Sequence, residues 1–140
     1  MTDADRDQLI IALTAFEEAS DQGQDGIRAQ IHSVVNRHAA GKWYSRKTLS
    51  GTCLLAYAYS AWNTTDQNRE RAVETPMSDV VMETCMTEAL WAMSGVSKDP
   101  TDGATHYFVA GTPAPSWSDP ATGSVFTVQI GQHRFYKSVA

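Results

Sequence analysis

Apolar residues recur three and four positions apart near the start of the chain. Leu9, Leu13 and Phe16 make a stripe there, with Ile10 beside it. That period predicts an amphipathic helix over 5–19, with Asp3 or Asp5 as its N-cap. The polar run "SDQGQDG" (20–26) reads as a loop. Ile27, Ile31, Val34 and Val35 then share one face of a second helix over 27–38, with Asp25 as its cap. "AAGKWYSRKT" is a connector, and "LSGTCLLAYAYSAW" (49–62) is apolar and short enough for a buried helix. "NTTDQNRERAVET" (63–75) reads as a polar surface loop. Pro76 opens a long helix to about Ser94, with Val81, Met82, Cys85, Met86, Ala89, Leu90 and Met93 in a wide stripe; Gly95 ends it.

The period then changes. Residues 95–123 carry most of the turn chemistry, including Pro100, Gly103, Pro113, Pro115, Pro120 and Gly123. "SVFTVQI" and "HRFYKSV" both alternate with period two across "GQ", which predicts a closing β-hairpin. The expected architecture is α+β and mainly α: three or four helices followed by an irregular, strand-bearing C-terminal third. No internal repeat appears, and 140 residues fit one domain spanning 1–140.

Charge removes one class of function. The formal net charge is −5, and the densest cation group is only Lys42, Arg46 and Lys47. A surface that tracks nucleic acid needs clustered Lys/Arg, so no nucleic-acid partner is expected. No apolar run approaches the roughly 18 residues that span a bilayer, so no membrane insertion is expected. The start, "MTDADRDQLI", is acidic and lacks an apolar signal region, which points to synthesis in the cytoplasm without an export signal. Cys53 and Cys85 lie in apolar contexts and read as buried free thiols.

The candidate chemistry is sparse. His32, His38, His106 and His133 have no ligand spacing with each other or with the cysteines, so neither a metal nor another cofactor is expected. No GxSxG or P-loop is present. Tyr59, Trp62, Tyr107, Trp117 and Tyr136 stand among polar neighbours. Such aromatics suit a sugar-binding groove, where rings stack on pyranose faces, but they equally suit core and hairpin packing. Glu17 and Glu18 close the first helix just before its loop. A carboxyl at a helix end over a cleft can be desolvated and kept protonated, as a general acid requires; elsewhere it is a solvated charge. Helical phase puts Glu17 nearer the apolar stripe and does not choose between the two.

"EASDQGQDGIRAQIHSVVNR" (18–37) resembles the signature of the cell wall hydrolases related to spore-cortex-lytic enzymes. That signature opens with Glu-Ala, places a Gly eight residues after the Glu, and closes the next helix with Asn-Arg. Glu18-Ala19, Gly26 and Asn36-Arg37 fall in register. "AYSAW" (58–62) resembles the family's Gln-Phe-Ser-x-Trp segment. "GATHYFVAGTPAPSW" (103–117) and "IGQHRFY" (130–136) resemble its Gly-Ala-x-His-Tyr, Trp and Ile-Gly-x-His-x-Phe-Tyr blocks. The blocks occur in family order over most of the chain.

The resemblance implies a small helical fold like that of the lysozyme superfamily, with a C-terminal β-hairpin. It implies cleavage of peptidoglycan glycan strands between MurNAc and GlcNAc, typically as a lytic transglycosylase forming 1,6-anhydro-MurNAc. It maps the catalytic acid onto Glu18. Tyr59, Trp62, His106, Tyr107, Trp117 and Tyr136 would hold sugars, while Ser60 and His133 would orient them. The chain departs from the family where Gly-Glu often follows the catalytic Glu, because Asp21 and Gln22 stand there; Ala58 and Tyr59 replace the Gln and Phe. The expected setting is a phage endolysin. It would act as a monomer held in the host cytoplasm until a separate holin gives it access to the periplasm and wall. The rival readings are a non-catalytic peptidoglycan-binding or virion structural module, and a zinc amidase or peptidase.

Overall fold

A computed structural model describes residues 1–55, 58–59, 62 and 68–140. Helix α1 (Asp3–Ala19) begins two residues before the apolar period. Thr2 is its N-cap, and Thr2 and Asp5 exchange side-chain hydrogen bonds with each other's backbone N–H. This capping box satisfies two donors that would otherwise be orphaned. Asp3 and Asp5 are therefore first-turn residues rather than caps. Helix α2 (Gly23–Ala39) likewise starts earlier than the apolar pattern, at Gly23, with Asp25 inside its first turn. Helix α3 (Leu49–Leu54) is capped by Thr48, whose side chain accepts from the Gly51 N–H. It ends well before residue 62.

Two expectations are corrected beyond α3. The 63–75 stretch is not loop throughout, because Asn68–Glu74 forms helix α4. Pro76 does not open the long helix. It begins a turn, closed by a hydrogen bond from Asp79 N–H to Pro76 C=O at 3.0 Å, and α5 (Val80–Met93) follows. Asp79 caps α5 by accepting from both Val81 and Met82 N–H. Gly95 follows the helix at φ +77°, the left-handed conformation that suits a helix stop.

Helix α1 is the hub and packs on α2, α3, α4 and α5. Its Ile11, Ala12, Ala15, Phe16 and Ala19 meet Ile27, Ile31 and Val34 of α2 and Met82, Cys85 and Ala89 of α5. Both cysteines are buried free thiols, pushed up to about 12 by desolvation. The α2–α5 seam holds a two-pronged ion pair: Arg28 Nε and Nη2 each reach a Glu88 oxygen at 2.8 Å, and Gln24 adds a third bond at 2.9 Å. Burial works to raise the Glu88 pKa, and these donors outweigh it and hold it low.

The C-terminal third contains the expected hairpin, β2 (Val125–Ile130) and β3 (His133–Lys137). It also contains a strand the pattern did not announce, β1 (His106–Val109), which pairs antiparallel with β3 to give the order β1-β3-β2. Directly paired residues share a face, so Tyr107 and Phe135 lie on one side and His106 and Tyr136 on the other. Phe135, with Ala104 and the half-buried Tyr107, Val128 and Ile130, packs on Ala29 of α2.

Helix α2 also fixes where β1 begins. Asn36 Nδ2 donates to Asp99 Oδ2 at 2.8 Å and to the Ala104 carbonyl at 2.9 Å, and Arg37 Nε donates to the Thr105 carbonyl at 3.0 Å. Asp99 collects further bonds from Thr101 N–H, Thr101 Oγ1 and Gly103 N–H. Burial works to raise its pKa, but these donors hold it below the ordinary carboxylate value. Asp99→Ala should cost about 1.5–3 kcal/mol in denaturant unfolding, the range for losing hydrogen bonds to a charged acceptor. A loss below about 0.5 kcal/mol would show that the loop holds its shape without Asp99.

Candidate active site

Glu18 is the penultimate residue of α1 and is half-buried. The Tyr107 hydroxyl donates to its Oε2 at 3.2 Å, across 89 residues of sequence. The same hydroxyl accepts from Gln30 Nε2 at 3.4 Å. Gln30 sits fully buried on α2, and its own Oε1 has no partner among the described residues. Burial, then the neighbouring Glu18 charge, pushes the Tyr107 pKa well above its usual value. The phenol therefore keeps its proton and remains a donor to Glu18 across any working pH.

His133 lies on the same sheet face. Its ring is 4.6 Å from the Tyr107 ring, and its Nδ1 has no hydrogen-bond partner among the described residues. Burial lowers the His133 pKa, and the Asp21 charge partly opposes this. Tyr59 is buried, and desolvation is the main cause of its raised pKa, to which the Glu18 charge also contributes. Glu18, Tyr107, His133 and Tyr59 thus form one cluster at the end of α1.

A second group lines a cavity of about 450 Å³ that shares Tyr107 with the first. His106 is buried there with its ring edge-on to Tyr44 at 4.8 Å and tilted against Trp117 at 5.1 Å. Its pKa is lowered to about 3, first by burial and then by the Arg37 and Lys42 charges, so the imidazole is neutral. Trp117 is half-buried in a short 3-10 turn, Ser116–Ser118. Tyr136 does not line this cavity; it braces Trp117 from behind at 5.5 Å and stacks on Phe108.

Trp62 points elsewhere. It packs against the main core, and its indole N–H is spent on Thr14 Oγ1 at 2.8 Å. Ser60 lies outside the described residues. Three residues that the sequence reading gave no role belong to these clusters: Gln30, Tyr44 and Arg37. Gln30 carried a signal, as a polar side chain within the buried stripe of Ile27, Ile31 and Val34. Among the described residues, no three His, Cys, Asp or Glu side chains come together as metal ligands would.

Gln22 has a defined place. Its Oε1 accepts from the Gln132 N–H at 2.8 Å, and its Nε2 donates to Asp21 at 2.9 Å. The bond ties the α1–α2 loop to the β2–β3 turn. Gly131 suits that turn because its φ is +57°, the left-handed region that glycine adopts without strain.

The model of the cell wall hydrolase family matches residues 21–136, most of the chain. The chain belongs to that family. Glu18 lies three residues before the matched segment and is joined to it by the Tyr107 hydrogen bond. Two solved structures share the fold. The catalytic domain of the Bacillus cereus SleB protein superposes with a TM-score of 0.70 at 22% identity, over 95% of this chain and 91% of that one. The catalytic domain of the germination-specific lytic transglycosylase SleB from Bacillus anthracis gives 0.70 at 24% identity, over 94% and 93%. Among curated proteins, no sequence relative matches.

The buried neutral His106 makes stability depend on pH. The unfolded chain takes up this proton near the ordinary value of 6.5, whereas the folded chain resists until about 3. Its contribution is therefore complete above 6.5 and is lost as pH falls toward 3, by up to about 1.4 kcal/mol per pH unit. Melting temperatures should fall across that window, and His106→Gln should flatten the fall. Parallel curves for the two proteins would show that His106 titrates normally in the fold.

Proposed function

We propose that this cell wall hydrolase cleaves peptidoglycan glycan strands between MurNAc and GlcNAc as a lytic transglycosylase, with residues 1–140 acting as one catalytic unit. The observation that carries the reading is the Tyr107–Glu18 hydrogen bond, which sets a helix-end carboxyl against an aromatic sheet face. The similar Bacillus anthracis structure is the catalytic domain of a lytic transglycosylase, which supports the same chemistry.

In this mechanism Glu18, protonated, gives its proton to the glycosidic oxygen leaving MurNAc C1. The resulting carboxylate then takes the proton of the MurNAc C6 hydroxyl as that oxygen bonds to C1. The product is a 1,6-anhydro-MurNAc end, and Glu18 recovers its proton. One carboxyl serves both steps, so no second carboxylate is needed of the kind that hydrolytic glycosidases pair with their acid. Tyr107 holds the Glu18 carboxyl in place. His133 and Tyr59 flank the reacting sugar, while His106 and Trp117 hold its neighbour. Tyr136 supports Trp117 from behind, whereas Trp62 belongs to the main core.

The finer proposal places this activity in phage-type host lysis. The protein would act as a monomer, waiting in the host cytoplasm until a separate holin opens the way to the wall. Cytoplasmic expression alone should then leave cells intact, and co-expression of a holin should lyse them. Lysis without a holin, or none with it, would overturn that setting.

Mass spectrometry of digested peptidoglycan tests the chemistry. The native protein should yield anhydro-muropeptides, with EDTA having no effect. Glu18→Gln keeps the shape but cannot deliver a proton, so the rate should fall by about 10²–10⁴-fold or more with little change in melting temperature. Glu17→Gln should keep most activity. A dead Glu17→Gln beside an active Glu18→Gln would shift the acid by one residue. Reducing-end muropeptides would mean hydrolysis, and EDTA-sensitive cleavage of peptides would mean an amidase.

A further inference from the structure

Among the described residues Arg37 is a buried cation, 7% exposed, that forms no ion pair. Its Nε is used by the Thr105 carbonyl, and that is the one hydrogen bond its side chain makes among the described residues. The guanidinium is framed by the Tyr59 ring at 5.1 Å and the Tyr44 ring at 5.5 Å. It lines the 450 Å³ cavity, to which no Asp or Glu among the described residues contributes, and Ala140, whose oxygen accepts from Trp43 Nε1 at 3.3 Å, lines it too. Burying an unpaired charge is costly unless something completes it.

The surroundings have the sign an anion would select. Lys42 belongs to the loop that carries Trp43 and Tyr44 into the cavity wall, with Arg46 and Lys47 next along it. Lys42 Nζ reaches the cavity's edge, where it donates to the carbonyl of the lining residue Val139 at 3.0 Å. His106, edge-on to the same Tyr44 ring, is held neutral by burial and by the Arg37 and Lys42 charges, so it adds no competing charge. With Nε committed and no Nη hydrogen bond among the described residues, the guanidinium keeps donors of the kind that a carboxylate accepts in pairs. Tyr107 joins this cavity to the Glu18 cluster, so a group bound here sits beside the proposed cleavage site.

We propose that Arg37 and its cavity bind a carboxylate carried by the MurNAc side of the substrate, making Arg37 a specificity-determining residue for anionic strands. The inference rests on the glycan-cleavage reading. MurNAc offers this chemistry from two sources: its lactyl carboxylate, exposed where the stem peptide has been removed, and the free carboxylates of the stem itself.

Binding to the Glu18→Gln protein tests the proposal without requiring turnover. Four ligands are compared by calorimetry: stem-bearing glycan fragments, stem-free fragments, and each of these after carbodiimide amidation of the carboxylates. At least tenfold weaker binding on amidation supports the site. A loss confined to stem-bearing fragments identifies the stem carboxylates, and one confined to stem-free fragments identifies the lactyl group. Loss in both means that both are accepted. Equal binding of amidated and untreated fragments overturns the inference, and so does failure to bind any of them. Adding Arg37→Gln should remove the preference, and Arg37→Lys should restore part of it. If Arg37→Gln does not fold, the amidation comparison still decides. Failure of the glycan reading would be seen separately, as native protein that leaves glycan strands uncut.

Discussion

The clamp at the end of α2 sets the phase of the strand on which the candidate site depends. Asn36 and Arg37 hold the carbonyls of Ala104 and Thr105, the two residues that precede β1. Side chains alternate along a strand, so a slip of one residue would exchange the faces of His106 and Tyr107. Tyr107 would leave Glu18, and His106 would leave the cavity wall. Two backbone hydrogen bonds from adjacent side chains thus decide which aromatic group meets the helix-end carboxyl. The Asn-Arg pair does this from α2, which packs directly on α1, the helix carrying Glu18.

The helical body was legible where burial is one-sided. Helices α1, α2 and α5 each present apolar residues at helical spacing, and each was found from that pattern. The starts of α1 and α5 were not, because side-chain caps rather than apolar period set them, as Thr2 and Asp79 show. Helix α4 was invisible for a related reason. It buries Ala72 and leaves Val73 exposed, so it carries almost no apolar signal. Strand β1 gave no alternation to read, since "HYFV" has aromatic residues facing both ways. Its strand character comes from pairing with β3.

The site was legible in parts. The family blocks identified Glu18, Tyr107, His106, His133 and Trp117, and the fold gathers them around Tyr107 into two adjoining clusters. Helical phase put Glu17 nearer the apolar stripe without choosing between the two glutamates; the Tyr107 bond goes to Glu18, through a contact 89 residues away that no local pattern contains. Trp62 illustrates the reverse problem. A tryptophan suits a sugar groove and a core equally, and what separates the cases is the destination of the indole N–H, here Thr14. Arg37 was read as one letter of a signature. Its buried charge emerges only from the packing around it.

The departure from the family at 21–22 is coherent as a pair. A glutamate at 22 could accept from the Gln132 N–H as the glutamine does, so the tie to the hairpin turn does not by itself select the amide. The second bond does. Gln22 Nε2 donates to an Asp21 oxygen at 2.9 Å, where a glutamate would oppose one carboxylate with another. An aspartate at 21 therefore favours an amide at 22. The exchange moves the acidic group one residue along the loop, and its charge is felt by His133. The loop thus carries one carboxylate near the site, at Asp21, beside a residue, Gln22, that ties it to the β2–β3 turn.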